Sequence, residues 1–292
     1  MKIGFIGLGR MGLAMSNRLV DAKFDLVVYN RTREKAAELE KKGAKVAGSV
    51  ADACKGRDLV ITMLADDKAL AEVVDGGLLA TLAKGAIHMP MGTHSVTALT
   101  ALKEKHDAAG QAFVAAPVLG RPDAAAAGQI GIVPGGNRDA IRKLEPVFKT
   151  LGRRAFDAGE NPAGAAAVKL ANNMVLGCAV EAMAEAFALT RKFGVAPAVF
   201  NEVLTDGLFA CPAYKVYGGI IANESYDKVG FAVKLGFKDS NLIMAAGQAA
   251  NVPLPSLNVF RDTLLEAFAH GEGDLDWAVM ARVRARAAGL ES

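Results

Sequence analysis

Cysteine is scarce in this chain: Cys54, Cys178 and Cys211 are the only three in 292 residues. An odd, scattered set with no Cys-x-x-Cys or Cys-x-x-His spacing gives neither a disulfide framework nor a zinc signature. Buried or idle thiols in a reducing compartment are the reading that remains. An excess of charge of one sign is missing as well. With 34 basic and 31 acidic residues the net charge is +3, too even for a nucleic-acid or membrane-surface binder. Any positive field is local and suits a small anionic ligand. Uninterrupted apolar runs of the roughly 18–20 residues that span a bilayer are also lacking. Residues 164–189 come closest, but Lys169, Glu181 and Glu185 interrupt them. The apolar run 3–8 is too short for the core of a secretory signal and passes straight into glycines. A cytoplasmic protein is expected, with no metal, nucleic-acid or membrane partner.

Apolar residues are abundant, at 52% of the chain, and 292 residues suffice for two domains with sizeable cores. The first half alternates short apolar runs with amphipathic stretches. Strands are predicted at 2–6, 25–29, 45–47, 58–63, 86–88 and 112–115, with helices at 11–22, 33–42 and 50–55. Near-continuous apolar strands separated by helices imply a parallel sheet covered on both faces. Residues 129–133 and 154–156 read as further strands at an edge.

Near residue 160 the strand signals stop. Asn161 is a helix N-cap candidate, with Pro162 at the first helical position. The alanine-rich stretch 163–192 forms one long helix ended by Gly194. About 30 residues at 1.5 Å each span roughly 45 Å, enough to run between domains or between subunits. Further helices are predicted at 197–204, 231–250, 256–270 and 277–288. The expected architecture is an α/β Rossmann-type doubly wound parallel sheet over residues 1–161, followed by an all-α domain over 162–292.

Gly7-Leu8-Gly9-Arg10-Met11-Gly12 follows the first strand directly and opens the first helix. Gly7 permits the tight turn, Gly9 admits a pyrophosphate to the backbone, and Gly12 allows close helix–strand packing. The pattern alone is weak; the strand before and the helix after give it weight. The second strand then selects the cofactor. NAD-preferring sites place a carboxylate at its end, whereas this chain reads Tyr29-Asn30-Arg31-Thr32. Asn30 and Thr32 can donate hydrogen bonds to a 2′-phosphate, and the planar fork of Arg31 can pair with it. NADP(H) is therefore the expected cofactor, with a solvated surface Arg31 as the alternative. Met63 and Leu64, at the end of the fourth strand, should line the cofactor crevice at the strands' carboxyl ends; a buried core methionine is the plainer reading of Met63.

The run 2–12 together with Asn30-Arg31-Thr32 closely resembles the β-hydroxyacid dehydrogenases. That family includes 3-hydroxyisobutyrate dehydrogenase, tartronate semialdehyde reductase and the glyoxylate/succinic semialdehyde reductases. The resemblance covers nearly the whole chain. Ala115-Ala116-Pro117-Val118 looks like the family's substrate-loop entrance, and residues 164–173, which carry Lys169 and Asn173, look like its catalytic motif. The stretch from Phe231 to Lys238-Asp239 looks like its late cofactor and substrate motif. The resemblance implies that Lys238 closes over cofactor or substrate, that Asp239 helps to place it, and that Phe231 packs near the nicotinamide.

The chemistry also follows from the residues. Hydride transfer to a carbonyl builds negative charge on oxygen, which a lysine can stabilise and protonate. Lys169 sits in an otherwise apolar helix, where an unpaired ammonium is costly. Asn173 lies four residues on, on the same helical face. The plainer reading is a lysine that reaches solvent from a long helix.

The resemblance has two breaks. Where the family's loop commonly continues Ser-Gly-Gly, this chain has Leu119-Gly120-Arg121; Arg121 either grips a carboxylate in the hydroxyl's place or faces solvent. The family's Asp-x-Ser-Thr becomes residues 88–94, His-Met-Pro-Met-Gly-Thr-His, in which Thr93 keeps a hydroxyl for the nicotinamide side. His88 and His94 lack a partner motif and read as structural. The leading expectation is a small aldehyde or keto-acid reductase that works as a homodimer or homotetramer. An imine reductase and a non-catalytic NADP-binding module stay open. Lys169 speaks against the former, and Lys169 with Asn173 against the latter.

Overall fold

The computed structural model describes residues 1–290, and two compact units divide the chain, Met1–Lys169 and the remainder from Leu170. In the first unit the strands of the parallel region are β1 (Lys2–Ile6), β2 (Asp25–Tyr29), β3 (Lys45–Val46), β4 (Leu59–Thr62), β5 (Ile87–Pro90) and β6 (Ala112–Ala115). Four more follow: β7 (Val118–Leu119), β8 (Ile130–Ile132), β9 (Gly135–Gly136) and β10 (Gly152–Ala155). The main sheet runs β3-β2-β1-β4-β5-β6-β9, with every pair from β3 to β6 parallel. The chain builds outward from β1 to β3, then crosses back to β4, so the order reverses between β1 and β4. An open parallel sheet presents its ligand crevice at such a reversal.

Around the sheet lie α1 (Arg10–Asp21), α2 (Ala37–Lys41), α3 (Val50–Cys54), α4 (Asp67–Val73), α5 (Leu79–Thr81), α6 (Val96–Ala108), α7 (Pro122–Ala126), α8 (Arg138–Lys143) and α9 (Glu145–Leu151). Neighbouring strand residues feed opposite cores. Phe5, Val28 and Ile61 pack with Met15, Leu19 and Leu151 on one face. Ile6, Val27 and Val60 pack with Ala53, Cys54 and Leu82 on the other. This two-sided burial, about 1.5–3 kcal/mol per large apolar side chain, explains why the strands read as continuous apolar runs rather than alternating ones.

The two late strand segments do not join the main sheet. β8 pairs antiparallel with β7 and parallel with β10, making a separate three-stranded sheet. The free edge of β6 is taken by β9, whose Gly136 has φ +141° and lies so close that a Cβ there would stand 2.4 Å from the Phe113 carbonyl oxygen. Only glycine fits that approach.

The second unit is helical: the greater part of α10 (Pro162–Lys192), then α11 (Pro197–Asp206), α12 (Pro212–Ala222), α13 (Val233–Ala249), α14 (Pro255–Ala269), a 3-10 turn at Trp277–Val279, and α15 (Met280–Ala287). Asn161 caps α10 by accepting from the Ala163 amide at 3.0 Å. The helix stops before Gly194, whose φ of +77° suits a left-handed stop. The compact units part at Lys169 rather than at the chemical boundary near 161, because Ala165 and Ala166 still pack with Phe113 and Val133 of the first core. By length and composition α10 could cross a bilayer, but two of its polar side chains are engaged within the second unit: Asn173 with Asp239 and Glu181 with Arg284.

Candidate functional site

The glycine turn has the geometry its spacing requires. Gly7 takes φ +100°, and a Cβ there would stand 2.4 Å from the Met63 carbonyl oxygen, which links the turn to the end of β4. At Gly12 a Cβ would lie 1.9 Å from the Gly7 carbonyl oxygen, so α1 can close on β1 only through glycine. Gly9 faces open space, with nothing within 4 Å of its Cβ position. It precedes α1, which has no side-chain cap and no acidic residue in its first turn, where Arg10 and Met11 sit. A helix start with no side-chain cap and an open approach over a glycine fits a pyrophosphate.

Asn30 joins this turn to the end of β2. Its Oδ1 accepts from the Leu8 amide at 2.9 Å, its Nδ2 donates to the Thr32 carbonyl at 2.9 Å, and the Gly7 amide donates to the Tyr29 carbonyl at 2.9 Å. Asn30 thus shapes the loop, and Arg31 beside it is exposed. Met63 and Leu64, both half-buried, each pack against one face of the sheet's core, so Met63 is part core and part rim.

The histidines of β5 and α6 are tied down. His88 is fully buried. Thr62 Oγ1 lies 3.1 Å from His88 Nε2, His88 Nδ1 lies 2.8 Å from His106 Nε2, and His106 Nδ1 lies 2.7 Å from Gln111 Oε1. Gln111 Nε2 donates to the carbonyls of Leu79 and Leu82, so its oxygen must accept. That fixes the chain: Thr62 donates to His88, His88 Nδ1–H to His106, and His106 Nδ1–H to Gln111. Both imidazoles are neutral in it, and burial pushes both down, His88 furthest. Neither has a lone pair left for substrate, which supports the structural reading of His88.

His94, also buried, sets its Nδ1 3.1 Å from Asp67 Oδ1. The Ser95 amide donates to the same carboxylate at 3.1 Å. Burial alone would raise the Asp67 carboxyl, but the His94 and Ser95 hydrogen bonds outweigh it and hold it at about 2. The carboxylate joins the start of α4 to the start of α6, and half-buried Thr93 lies on the loop between β5 and α6. Asp67, His106 and Gln111 carried no sequence signal, since their partners are 27, 18 and 5 residues away.

The altered loop is ordered by its neighbours. Leu119 ends β7, Gly120 takes φ +141°, and the Arg121 carbonyl accepts the first helical bond of α7, from Ala125. The Arg121 side chain is half-buried.

On α10, Lys169 and Asn173 are one turn apart, the lysine half-buried and the asparagine buried. In the second unit Asn173 Nδ2 donates to Asp239 Oδ2 at 2.6 Å, and Lys238 Nζ stands 2.9 Å from Asp239 Oδ1. The structure therefore brings together Asn173, Lys238 and Asp239, from two motifs 66 residues apart. Phe231, half-buried just before α13, packs edge-on against Trp277 with ring centroids 4.9 Å apart.

Comparison with known proteins gives the same reading over the same spans. Residues 2–159 match the model for the NAD binding domain of 6-phosphogluconate dehydrogenase. Residues 163–284 match that for the NAD-binding domain of NADP-dependent 3-hydroxyisobutyrate dehydrogenase. The chain is 39% identical to the oxidoreductase YfjR of Bacillus subtilis over 96% of its length and 98% of the relative's. It is 33% identical to glyoxylate/succinic semialdehyde reductase 1 of Arabidopsis thaliana over 96% and 97%. Among solved structures it is similar to a Mycobacterium tuberculosis 3-hydroxyisobutyrate dehydrogenase with L-serine, at a TM-score of 0.86 and 29% identity over 96% and 98% of the two chains.

Proposed function

The chain belongs to the β-hydroxyacid dehydrogenase family, and on that premise we propose that it is an NADPH-linked reductase of a small aldehyde or keto acid, such as glyoxylate or a semialdehyde. It is an oxidoreductase that binds a pyridine nucleotide. The choice of NADP(H) rests on one observation: the end of β2 carries Arg31 where an acidic residue would repel a 2′-phosphate. The glycine turn (Gly7, Gly9, Gly12) and the first turn of α1 with Arg10 and Met11 hold the pyrophosphate. Arg31 and Thr32 hold the 2′-phosphate, and Met63, Leu64 and Thr93 line the nicotinamide side.

The bound nicotinamide supplies or accepts the hydride. Lys169 Nζ donates a proton to the carbonyl oxygen as negative charge grows on it, and takes the proton back in the reverse direction. Asn173, pinned through its Nδ2 to Asp239, accepts from Asn172 Nδ2 at 3.4 Å, and its side-chain oxygen has a second lone pair for one ligand group. Lys238 and Phe231 act from α13 and its approach, and Leu119, Gly120 and Arg121 contact the substrate, with Arg121 as a carboxylate partner.

The same reading includes self-association. Along α10 the exposed positions Val168, Val175, Ala182 and Leu189 recur every seven residues, with Val175 70% and Leu189 60% exposed. On α11 no residue is buried. A homodimer or homotetramer would cover these faces, and sedimentation would show a multiple of the 30.4 kDa chain.

An NADPH-consumption panel of glyoxylate, succinic, tartronate and methylmalonate semialdehydes and cyclic imines tests the reaction. Turnover of an aldehyde supports the reading, and turnover of imines alone replaces it with an imine reductase. NADPH binding without any turnover leaves a binding module.

A further inference from the structure

Asp276 is completely buried, 45 residues from Phe231 in the chain, and belongs to none of the family motifs. Its Oδ2 accepts from the amides of Gly230 at 2.8 Å and Phe231 at 3.0 Å, and its Oδ1 accepts from the Ala278 amide at 3.1 Å, capping the 3-10 turn. Two successive amides converge on one oxygen only when the backbone between them is bent toward it, so this carboxylate fixes the dihedrals that aim the Phe231 side chain.

The surrounding bonds reinforce that hold. The Asp276 amide donates to the Tyr226 carbonyl at 2.9 Å, the Trp277 amide to the Phe231 carbonyl at 2.9 Å, and the Val233 amide to the Leu275 carbonyl at 2.9 Å. Ala232 and Asp276 form an antiparallel bridge. Trp277, next in the chain and the sole tryptophan, stacks edge-on against the Phe231 ring. It also lies against Gly236, where a Cβ would stand 2.8 Å from the Trp277 Cε3 atom. The pair Asp276-Trp277 therefore grips Phe231 by its backbone and by its ring, and seats the first turn of α13, the helix that carries Lys238 and Asp239.

We propose that Asp276 is a positioning residue: its carboxylate fixes Gly230 and Phe231 so that Phe231 meets the substrate in one orientation. This rests on the reading that Phe231 faces the reacting groups. In this role Asp276 acts through Phe231.

The test compares Asp276→Ala, Asp276→Asn and Phe231→Ala in the full chain. In Asp276→Ala the amides of Gly230 and Phe231 should exchange hydrogen about tenfold faster or more while α1 and β1 stay protected, and Trp277 fluorescence should shift to the red. NADPH affinity, read by fluorescence titration, should stay within about twofold, because the glycine turn is untouched. With succinic semialdehyde, or the best carbonyl of the panel above, kcat should fall about tenfold to hundredfold with a smaller change in KM. The primary isotope effect from NADPH deuterated at the transferred hydrogen should rise. Asp276→Asn keeps one acceptor oxygen for the Gly230 and Phe231 amides while its Nδ2 faces the Ala278 amide, and should restore part of the rate; it also serves if the alanine variant does not fold.

A folded Asp276→Ala with wild-type kcat and isotope effect, beside an impaired Phe231→Ala, overturns the positioning role and leaves the function intact. A Phe231→Ala enzyme with normal kinetics overturns the reading of Phe231 itself. A lowered melting temperature with unchanged kinetics per folded molecule makes Asp276 merely structural and overturns the proposal.

Discussion

The two compact units each carry one half of the candidate functional residues, and the halves are built from different materials. The cofactor half is made of backbone: an uncapped helix start, a glycine with φ +100°, and a second glycine with no room for a Cβ. The half that carries the polar groups is made of side chains that meet across long sequence distances, Asn173 with Asp239 and Lys238 beside it. A backbone site is specified by local conformation, so glycines at fixed offsets announce it. A side-chain site is specified by packing, so its members are polar residues whose meaning depends on partners far along the chain. The two halves should accordingly fail in different ways.

The largest effect falls on the backbone half. In Gly12→Ala the new methyl group meets the Gly7 carbonyl oxygen at 1.9 Å, and backbone cannot step aside cheaply. A loss of about 3 kcal/mol or more is expected, together with loss of NADPH binding, read by urea unfolding and fluorescence titration. A tolerated alanine would mean that the turn is not rigid and would dissolve the contrast.

Next comes the side-chain half. Asp239→Ala leaves the buried Asn173 amide without its acceptor and costs about 1–3 kcal/mol of stability. NADPH should still bind while turnover falls. Equal loss of binding and turnover would show that the two halves are not separable.

The histidines sharpen the contrast with pH. His88 and His106 are held neutral, below their ordinary 6.5, by burial. The unfolded chain therefore binds more protons below that pH, and stability falls as pH drops through about 6.5 and below, by up to about 1.4 kcal/mol per pH unit for each imidazole. Asp67, held at about 2 against an ordinary 3.8, contributes stability that is present above about pH 4 and lost between there and about pH 2. Urea midpoints should decline in these two separate windows, and His106→Gln should make the first shallower and leave the second unchanged. A flat profile from pH 7 to pH 5 would contradict the neutral relay.

The smallest effect is at the surface. Arg31→Ala should weaken NADPH about tenfold, the cost of one charge-assisted contact, and leave NADH unchanged. Parallel loss for both cofactors would move the 2′-phosphate elsewhere.

Legibility in the sequence follows the same division. Strands β1, β2, β4 and β6 and the long helix α10 were readable to within one or two residues, because two-sided burial and an Asn-Pro start leave local marks. Helix α12 was not, since Gly218 and Gly219 lower its propensity. Packing supports it instead, with Tyr217 and Ile221 buried and Gly218 set against Asn201. The two-residue strands β7 and β9 exist only through their partners and have no periodicity to read. Of the site, the glycine turn, Lys169 and Asn173 stood out, whereas the roles of Asn30, Asp67 and Asp276 appear only once the chain is folded, since each is defined by backbone amides it receives. The loop at Leu119–Arg121 was visible as a departure, and the structure seats it between β7 and α7.

The central claim is that hydride transfer in this chain depends on the ammonium of Lys169. Its most direct test is single-turnover NADPH oxidation by Lys169→Ala and wild type, with NADPH binding titrated on the same samples. The account predicts unchanged NADPH affinity and a hydride-transfer rate lower by about 10²–10⁴. A variant that binds NADPH and reduces the carbonyl at the wild-type rate would contradict it.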